Sequence, residues 1–252
     1  MTFTNGILSI LLCCVAVMNS SCTACPRPEI HGRQEGRECV ILLHGLARTS
    51  SSMKTMEKGL LQAGYQIVNL DYSSREKTIE DIAAQDVAGG VTLCEQAGAG
   101  RIHFVTHSLG GIVVRLAMRN QKPEKLGRVV MLAPPNQGSF VTDRLKKWWF
   151  YRRLNGPAGQ ELGTGSESLP NRIGPVDYPV GVIAGNRHAF FDAWFASFIP
   201  DENDGKVAVE HTRVDGMADF LLVPETHPFI MNADKVIEET IYFLRQGTFI
   251  RP

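Results

Sequence analysis

The chain has 252 residues, of which 44% are hydrophobic and 21% charged, with 26 Lys and Arg against 26 Asp and Glu. This length and composition are those of one ordinary globular domain with a sizeable core. The balanced charge provides no basic field for binding nucleic acid and no acidic excess typical of disordered proteins.

An export signal is predicted at residues 1–24. Residues 6–18 form an apolar run that is too short for a membrane-spanning helix but has the length of a signal-peptide core, and small residues follow it. The basic residues that usually precede such a core are missing, so an uncleaved tail is the alternative. Cys22 could be the lipidated first residue of a lipoprotein, although the usual Leu three positions earlier is absent. We expect an exported protein, periplasmic or secreted.

The segment at 25–37 is polar and rich in Pro and Gly, which predicts a linker before a domain at 38–252. Cys39 and Cys94 are the cysteines that fall clearly in this domain, and their spacing matches no zinc or redox motif. We interpret them as two small buried hydrophobic residues in preference to a disulfide.

Strands and helices are predicted to alternate along the domain. Apolar runs and helical periodicity predict, in chain order, a strand at 39–43, a helix at 51–63, a strand at 65–70, a helix from 78 toward 96, a strand at 101–106, a helix at 110–119 and a strand at 128–133. After an irregular stretch at 136–175, interpreted as a cap-like insert, they predict strands at 180–184 and 220–223 and a helix at 233–246. This alternation is typical of an α/β fold whose mostly parallel sheet has about six strands and helices on both faces.

Particular residues are predicted to mark helix ends. Thr78, with Asp81 three residues later, forms a capping-box pattern at a helix N-terminus. Asn232 could cap the last helix, and Gly247 is placed to end it.

Ser108 lies between a predicted strand and a predicted helix, in the sequence His107-Ser108-Leu109-Gly110-Gly111. A serine at a sharp strand-to-helix turn holds its Oγ above the sheet, and the helix N-terminus behind it favours developing negative charge. Strand and helix backbones come close at such a turn, so the residues two before and two after the serine must be small. Gly110 satisfies this, whereas Thr106 stands where the usual pattern has its first glycine. We expect Ser108 to be a nucleophile.

His44-Gly45-Leu46 ends the first predicted strand, sixty residues or so before that serine. In folds with a serine at such a turn, this loop and the residue after the serine each donate a backbone N–H to the oxyanion, which points to Leu46 and Leu109. Gly45 would let the backbone approach the substrate closely. The alternative is that His44-Gly45 is a simple turn.

These motifs resemble the α/β-hydrolase superfamily, and within it the small bacterial lipases and esterases that lack the first sheet strands. The segments 105–116, 203–209 and 226–243 carry the likeness, which extends over 38–247, and the chain also resembles the GPI inositol-deacylase-like lipases. The resemblance implies a minimal α/β-hydrolase fold and a serine hydrolase that cleaves esters through an acyl-enzyme.

The general base and its acid are expected to follow Ser108 in the chain order Ser, Asp or Glu, His. His227 follows the last predicted strand, where the base belongs, and Pro228 after it is a local departure from relatives. The candidate acids are Asp192, Asp201, Glu202 and Asp204. Asp204 is preferred because Asp204-Gly205-Lys206-Val207 resembles the family's Asp-Gly-x-Val loop, although Asn203-Asp204-Gly205 is also good turn chemistry.

Aromatic and basic residues cluster at 144–153, inside the predicted insert. Such a cluster suits a membrane surface or an acyl-chain pocket, but we favour a cap helix that packs its aromatic side chains on the sheet edge. Trp148 and Trp149 are adjacent, so on a helix one should face the sheet and the other the cleft or solvent.

The sequence therefore predicts a carboxylic ester hydrolase, an esterase or lipase, acting on a small-molecule or lipid ester. Acyl transfer or amide cleavage on the same triad, or an inactive lipid- or partner-binding module, are the alternatives. The sequence contains no phosphate loop, no dinucleotide-binding glycine pattern and no metal-binding histidine pair, so no cofactor and no metal are expected. Peripheral membrane contact is a possible further property, and nucleic acid is not expected as a partner.

Overall fold

The computed structural model describes residues 28–251, which build a seven-stranded sheet with helices on both faces. The strands are β1 (Ile30–His31), β2 (Cys39–Leu43), β3 (Gln66–Leu70), β4 (Ile102–His107), β5 (Leu126–Leu132), β6 (Val180–Arg187) and β7 (Asp219–Thr226). Their order across the sheet is β1-β3-β2-β4-β5-β6-β7, with β1 antiparallel to β3 and every other neighbouring pair parallel. The predicted mostly parallel α/β sheet is confirmed. The predicted export signal and Cys22 lie outside the described residues.

The helices are α1 (Lys54–Gln62), α2 (Ile79–Asp81), α3 (Ala88–Gln96), α4 (Leu109–Asn120), α5 (Phe140–Leu145), α6 (Trp149–Gln160), α7 (Leu169–Arg172), α8 (Ala193–Ala196) and α9 (Asp234–Gln246). A π-helical segment, Ile82–Val87, joins α2 to α3. Between residues 28 and 251, no helix has the length and apolar character needed to cross a membrane.

The core lies in two layers, one on each face of the sheet. All five residues of β2 are fully buried, and alternate ones point to opposite faces because side chains alternate along a strand. Cys39, Ile41 and Leu43 pack with residues of α4 and of the helix at 79–96. Val40 and Leu42 pack with residues of α1 and α9. A strand buried on both faces explains why the sequence shows a continuous apolar run there.

The prediction of a linker at 25–37 is wrong for Ile30 and His31. These residues form β1 and pair with Val68 and Ile67 of β3, at the edge of the sheet. A strand of two residues is too short to produce an alternating pattern, so the polar residues around it dominate the sequence signal.

The interpretation of Cys39 and Cys94 as free buried residues is also wrong. A disulfide joins them, with a Cα–Cα distance of 5.9 Å. Cys39 begins β2 and Cys94 lies in α3, and both side chains are fully buried in the same core layer. Because the two positions are 55 residues apart, only the packing of α3 on β2 brings the sulfur atoms together.

The predicted helix ends have different outcomes. The Thr78 hydroxyl accepts a hydrogen bond from the Asp81 N–H at 3.1 Å, which confirms this cap. Gly247 ends α9 in a left-handed conformation with φ of 84°, as predicted. The predicted Asn232 cap is wrong, because α9 begins after Ala233 and no side chain caps it.

The segment at 136–175 contains α5, α6 and α7. Helix α6 is kinked at Gly156, whose φ is 60°, and Pro157 follows inside the helix. A Cβ atom at Gly156 would lie 1.9 Å from the Arg75 carbonyl oxygen, so only glycine lets α6 pack this closely on the loop after β3.

Candidate active site

Ser108 occupies the turn between β4 and α4. Its φ of 52° and ψ of -118° are unusual for a residue other than glycine and place it at a strained turn. A Cβ atom at Gly110 would lie 2.8 Å from Leu43 Cβ and 2.9 Å from the Leu43 carbonyl oxygen, so this position requires glycine. Thr106 is accommodated fully buried where the usual pattern has its other glycine. The structure therefore builds the sharp turn in spite of this departure.

The structure brings Ser108, His227 and Asp204 into one hydrogen-bonded line. The Ser108 Oγ lies 3.0 Å from His227 Nε2, and His227 Nδ1 lies 2.7 Å from Asp204 Oδ2. The carboxylate accepts from Nδ1–H, which leaves Nε2 able to accept the serine proton. All three residues are buried, with Ser108 and His227 each 8% exposed.

The second carboxylate oxygen of Asp204 is held by its own loop. Oδ1 accepts hydrogen bonds from the Lys206 N–H at 3.0 Å and the Val207 N–H at 2.8 Å. The His227 N–H donates to the Asp204 carbonyl oxygen at 3.0 Å, so the loop after β7 is tied to the loop after β6. Both partners of the imidazole–carboxylate contact are thus positioned by backbone hydrogen bonds.

The other candidate acids lie away from His227. Asp201 is exposed, and Glu202 accepts a hydrogen bond from the Asn186 side chain. Asp192 is buried and pairs with Lys206, whose Nζ lies 3.1 Å from Asp192 Oδ1. Of the four carboxylates weighed from the sequence, the structure places Asp204 against the imidazole.

The His44-Gly45-Leu46 loop passes directly beside the turn that carries Ser108. A Cβ atom at Gly45 would lie 2.7 Å from His107 Nδ1 and 3.3 Å from Ser108 Cβ. The His44 ring stacks on Tyr72 with centroids 3.9 Å apart, and its Nδ1 donates to the Gly45 carbonyl oxygen at 2.8 Å. Burial lowers the pKa of His44, which keeps the ring neutral in its role as a loop support. Leu46 extends from this loop into the cavity beside Ser108.

His107 supports the histidine loop from the other side. Its Nε2 donates to the His227 carbonyl oxygen at 3.0 Å, and the two rings have centroids 4.9 Å apart. Burial first, and then the neighbouring imidazole, lower the pKa of His107 well below its usual value. A neutral His107 is therefore a positioning group for His227.

Ser108 and His227 open into a cavity of about 420 Å³. One wall is supplied by apolar residues of the insert, namely Val141, Leu145, Phe150, Tyr151, Leu154 and Leu162. Trp194, Phe195 and Val207 also line the cavity, and Phe195 packs in the same apolar cluster as Val141, Leu145 and Tyr151. In the described part of the chain, no group of three or more His, Cys, Asp or Glu is placed to hold a metal ion.

Comparison with known proteins places the chain in a family. Residues 40–239 match the family described as the alpha/beta hydrolase family. The chain belongs to the alpha/beta hydrolase family. No curated protein matches the chain.

Solved structures of other proteins share the fold. A lipase of Bacillus licheniformis in its mature form has a TM-score of 0.68 at 19% identity, covering 86% of this chain and 96% of the lipase. An esterase of Pyrococcus furiosus has a TM-score of 0.58 at 16% identity, covering 84% of this chain and 83% of the esterase. A phospholipase of Legionella pneumophila has a TM-score of 0.57 at 24% identity, covering 70% of this chain and 45% of the phospholipase.

The two adjacent tryptophans of this alpha/beta hydrolase do not behave as predicted. Trp148 is 51% exposed and Trp149 is 75% exposed, and neither lines the cavity. Trp148 precedes α6 with an extended backbone, so helical periodicity does not separate the two side chains. Both rings instead contact Phe150 edge-on, and Phe150 and Tyr151 are the members of the cluster that reach the cavity.

Trp194 and Phe195 are cavity residues that the sequence reasoning missed. They lie in α8, a four-residue helix between β6 and the Asp204 loop. The signal available in the sequence was an aromatic cluster at 190–198 directly before the preferred acid. Its position over the cavity depends on how α8 folds back toward the insert.

Proposed function

We propose that this alpha/beta hydrolase cleaves carboxylic esters through an acyl-enzyme on Ser108. The observation that supports this most directly is the line of contacts from Ser108 through His227 to Asp204, at 3.0 Å and 2.7 Å, facing an apolar cavity. As Oγ attacks the ester carbonyl carbon, His227 Nε2 takes its proton and passes it to the leaving alcohol oxygen. Water, activated by the same imidazole, then attacks the acyl-enzyme and releases the acid and free Ser108.

The oxyanion formed in both steps is proposed to be held by backbone N–H groups of Leu46 and Leu109. Leu109 is the first residue of α4, so its N–H belongs to the positive end of the helix. Gly45 allows the Leu46 loop to pass close to Ser108, because a Cβ atom at position 45 would lie only 3.3 Å from Ser108 Cβ. Donors fixed in this way stabilise a tetrahedral intermediate without reorganisation.

Ester cleavage is preferred over amide cleavage and acyl transfer for two reasons. The cavity walls are mainly apolar, which suits a hydrocarbon acyl group. The similar solved structures include proteins described as a lipase, an esterase and a phospholipase. We extend the proposal to lipid esters because the sequence motifs resemble those of the GPI inositol-deacylase-like lipases.

A fluorophosphonate probe and a series of p-nitrophenyl esters test the proposal. Wild type should be labelled and should hydrolyse the esters, whereas Ser108→Ala should lose labelling and retain less than about a hundredth of the rate. Ser139→Ala is the matched control, because Ser139 lines the same cavity but its hydroxyl donates to the Lys206 carbonyl oxygen, and it should still be labelled. An unlabelled wild type would favour an inactive binding module. A labelled Ser108→Ala variant would show that another residue is the nucleophile.

We also propose that the protein is exported through residues 1–24. The disulfide between Cys39 and Cys94 supports this, because such bonds persist in oxidising compartments. A fusion of residues 1–30 to a reporter that is active only outside the cytoplasm should give a signal. An expressed but silent fusion would contradict the proposal, and mass analysis of the secreted chain would show whether Cys22 is lipidated.

Peripheral membrane contact is proposed for the exposed aromatic side chains of the segments that line the cavity. The segments that carry its walls also expose Trp148, Trp149, Phe190 and Trp194, with Phe190 at 98% exposure, and basic residues accompany the first two. Aromatic side chains among cations suit the headgroup region of a bilayer. Trp149→Ala should bind less to vesicles containing anionic lipid in a flotation assay, whereas Tyr242→Ala, an exposed aromatic of α9, should bind like wild type. Equal flotation of the two variants would contradict this surface.

A further inference from the structure

The charged side chains that line the catalytic cavity are all cationic. Arg48, Arg75 and Lys206 contribute to its wall, and among residues 28–251 no Asp or Glu side chain does so. The rest of the lining is mainly apolar, so these cations are the groups that would distinguish one polar substrate group from another. An ester with a negative group is complementary to this cavity.

Arg48 lies on the side of the cavity where His227 stands. Its Nη2 donates to the carbonyl oxygen of Pro228, the residue after His227, at 3.0 Å. Burial lowers the pKa of Arg48, since the guanidinium has lost part of its hydration. A cation with fewer surrounding waters attracts an anion more strongly than one in bulk solvent.

Lys206 lies in the loop that carries Asp204, and it is near Arg48 because both cations interact with Asp192. Its Nζ lies 3.1 Å from Asp192 Oδ1 and 3.3 Å from the centroid of the Phe195 ring, which fixes the long side chain in place. Asp192 does not line the cavity, so its carboxylate holds Lys206 from behind. Asp192 also attracts Arg48, and the Asp204 carboxylate attracts Lys206, so two carboxylates stand near the three lining cations and one positive charge remains in excess.

The position of these cations indicates which part of a substrate they meet. His227 returns the proton to the leaving oxygen, so the alcohol part of an ester lies nearest to this residue. The apolar wall supplied by the insert, including Leu145 and Phe150, remains for the acyl chain. We propose that the preferred substrates are esters whose alcohol part carries an anionic group, such as a phosphate, bound by Arg48 and Lys206. Arg75, which is exposed, attracts the same group at the rim. This inference rests on the proposed ester hydrolysis.

A matched pair of substrates tests the proposal. 1-Octanoylglycerol 3-phosphate and 1-octanoylglycerol share the acyl chain and the ester and differ by the phosphate alone. Wild type should hydrolyse the phosphate ester with a kcat/KM about tenfold higher or more, as expected for hydrogen bonds to a charged group. The preference should shrink in high salt, because added ions screen the attraction. Equal kcat/KM values for the two esters would overturn the proposal.

Variants assign the preference to particular cations. Arg48→Gln should reduce the ratio of the two kcat/KM values about tenfold. Lys206→Gln is combined with Asp192→Asn, so that no buried carboxylate is left unpaired, and the double variant should reduce the ratio similarly. Lys54→Gln is the control, because Lys54 is an exposed cation of α1 that does not line the cavity. Loss of the preference in the control, or its survival in both cavity variants, would overturn the assignment.

A binding measurement separates failure of this proposal from failure of the hydrolase assignment. The ether analogues 1-O-octylglycerol 3-phosphate and 1-O-octylglycerol cannot be hydrolysed, and titration calorimetry on the full chain measures their affinities. The phosphate analogue should bind about tenfold more tightly, and Arg48→Gln should remove most of the difference. Equal affinities would overturn the anionic subsite even if esters are hydrolysed. A tighter phosphate analogue without Ser108 labelling or hydrolysis would overturn the hydrolase assignment instead.

Discussion

Removal of the disulfide should cost this protein a large part of its stability. The bond joins β2 to α3 across 55 residues of chain, and both cysteine side chains are fully buried. In the chain-entropy treatment, cross-linking a loop of this length lowers the free energy of folding by about 4 kcal/mol at 25 °C. The Cys39→Ala/Cys94→Ala variant should therefore lose about this amount, because its unfolded chain regains the entropy that the cross-link removes.

Urea denaturation followed by far-ultraviolet circular dichroism measures this loss. With a slope of about 3 kcal/mol per molar urea, the midpoint should fall by about 1.3 M, and Tm should fall by about 8–16 °C. Unfolding in a reductant is the control, because wild type then unfolds to an open chain as the variant does and the two midpoints should approach each other. A variant within about 1 kcal/mol of oxidised wild type, or purified wild type with two free thiols, would refute the reasoning.

Other predictions concern the site itself. Asp204→Asn should lower kcat for ester hydrolysis about 10⁴-fold, because an amide does not hold the productive histidine tautomer. Asp201→Asn, at an exposed position, should lower kcat far less. A larger loss of kcat in Asp201→Asn than in Asp204→Asn would assign the acid to Asp201 instead. Gly110→Ala should cost about 1–3 kcal/mol in urea unfolding, since its Cβ would lie 2.9 Å from a backbone oxygen of β2, and an unchanged midpoint would contradict the tight turn. Leu154→Ala should reduce kcat/KM about tenfold more for an octanoate ester than for a butyrate ester. This assumes that the Leu154 side chain contacts about two methylene groups of the longer acyl chain, at about 0.8 kcal/mol each. Leu222→Ala, at a leucine outside the cavity, should leave that ratio unchanged.

Most of the sheet could be predicted because its central strands are buried on both faces. Such strands leave continuous apolar runs, as at 39–43 and 129–132, and the polar or glycine-rich segments between them mark the turns. Strand β1 was not predicted because two residues at a sheet edge carry no periodic pattern. The predicted Asn232 cap was wrong because the end of a helix depends on the backbone conformation of the flanking residue, which composition specifies poorly.

The candidate site was predictable where chemistry and backbone geometry are local. Ser108 stands between a readable strand and a readable helix, and Gly110 is required by a contact with the neighbouring strand. Asp204 was one of several carboxylates in a short stretch, and the preference for it came from the glycine and valine that follow it. The structure gives the reason for the glycine, since Gly205 has a φ of 99° and the turn that it forms brings the Val207 N–H to the Asp204 carboxylate.

The sequence by itself determined the order of strands and helices, the sharp turn at Ser108 and the loops that hold the acid and the histidine. These features follow from side-chain burial and turn geometry within a few consecutive residues. Only the tertiary structure decided the Cys39–Cys94 bond, the cavity walls at 141–162 and 194–195, and the placement of Arg48 and Lys206 in the cavity wall. These features require contacts between segments that are distant along the chain, and local pattern contains no information on which distant segments will meet.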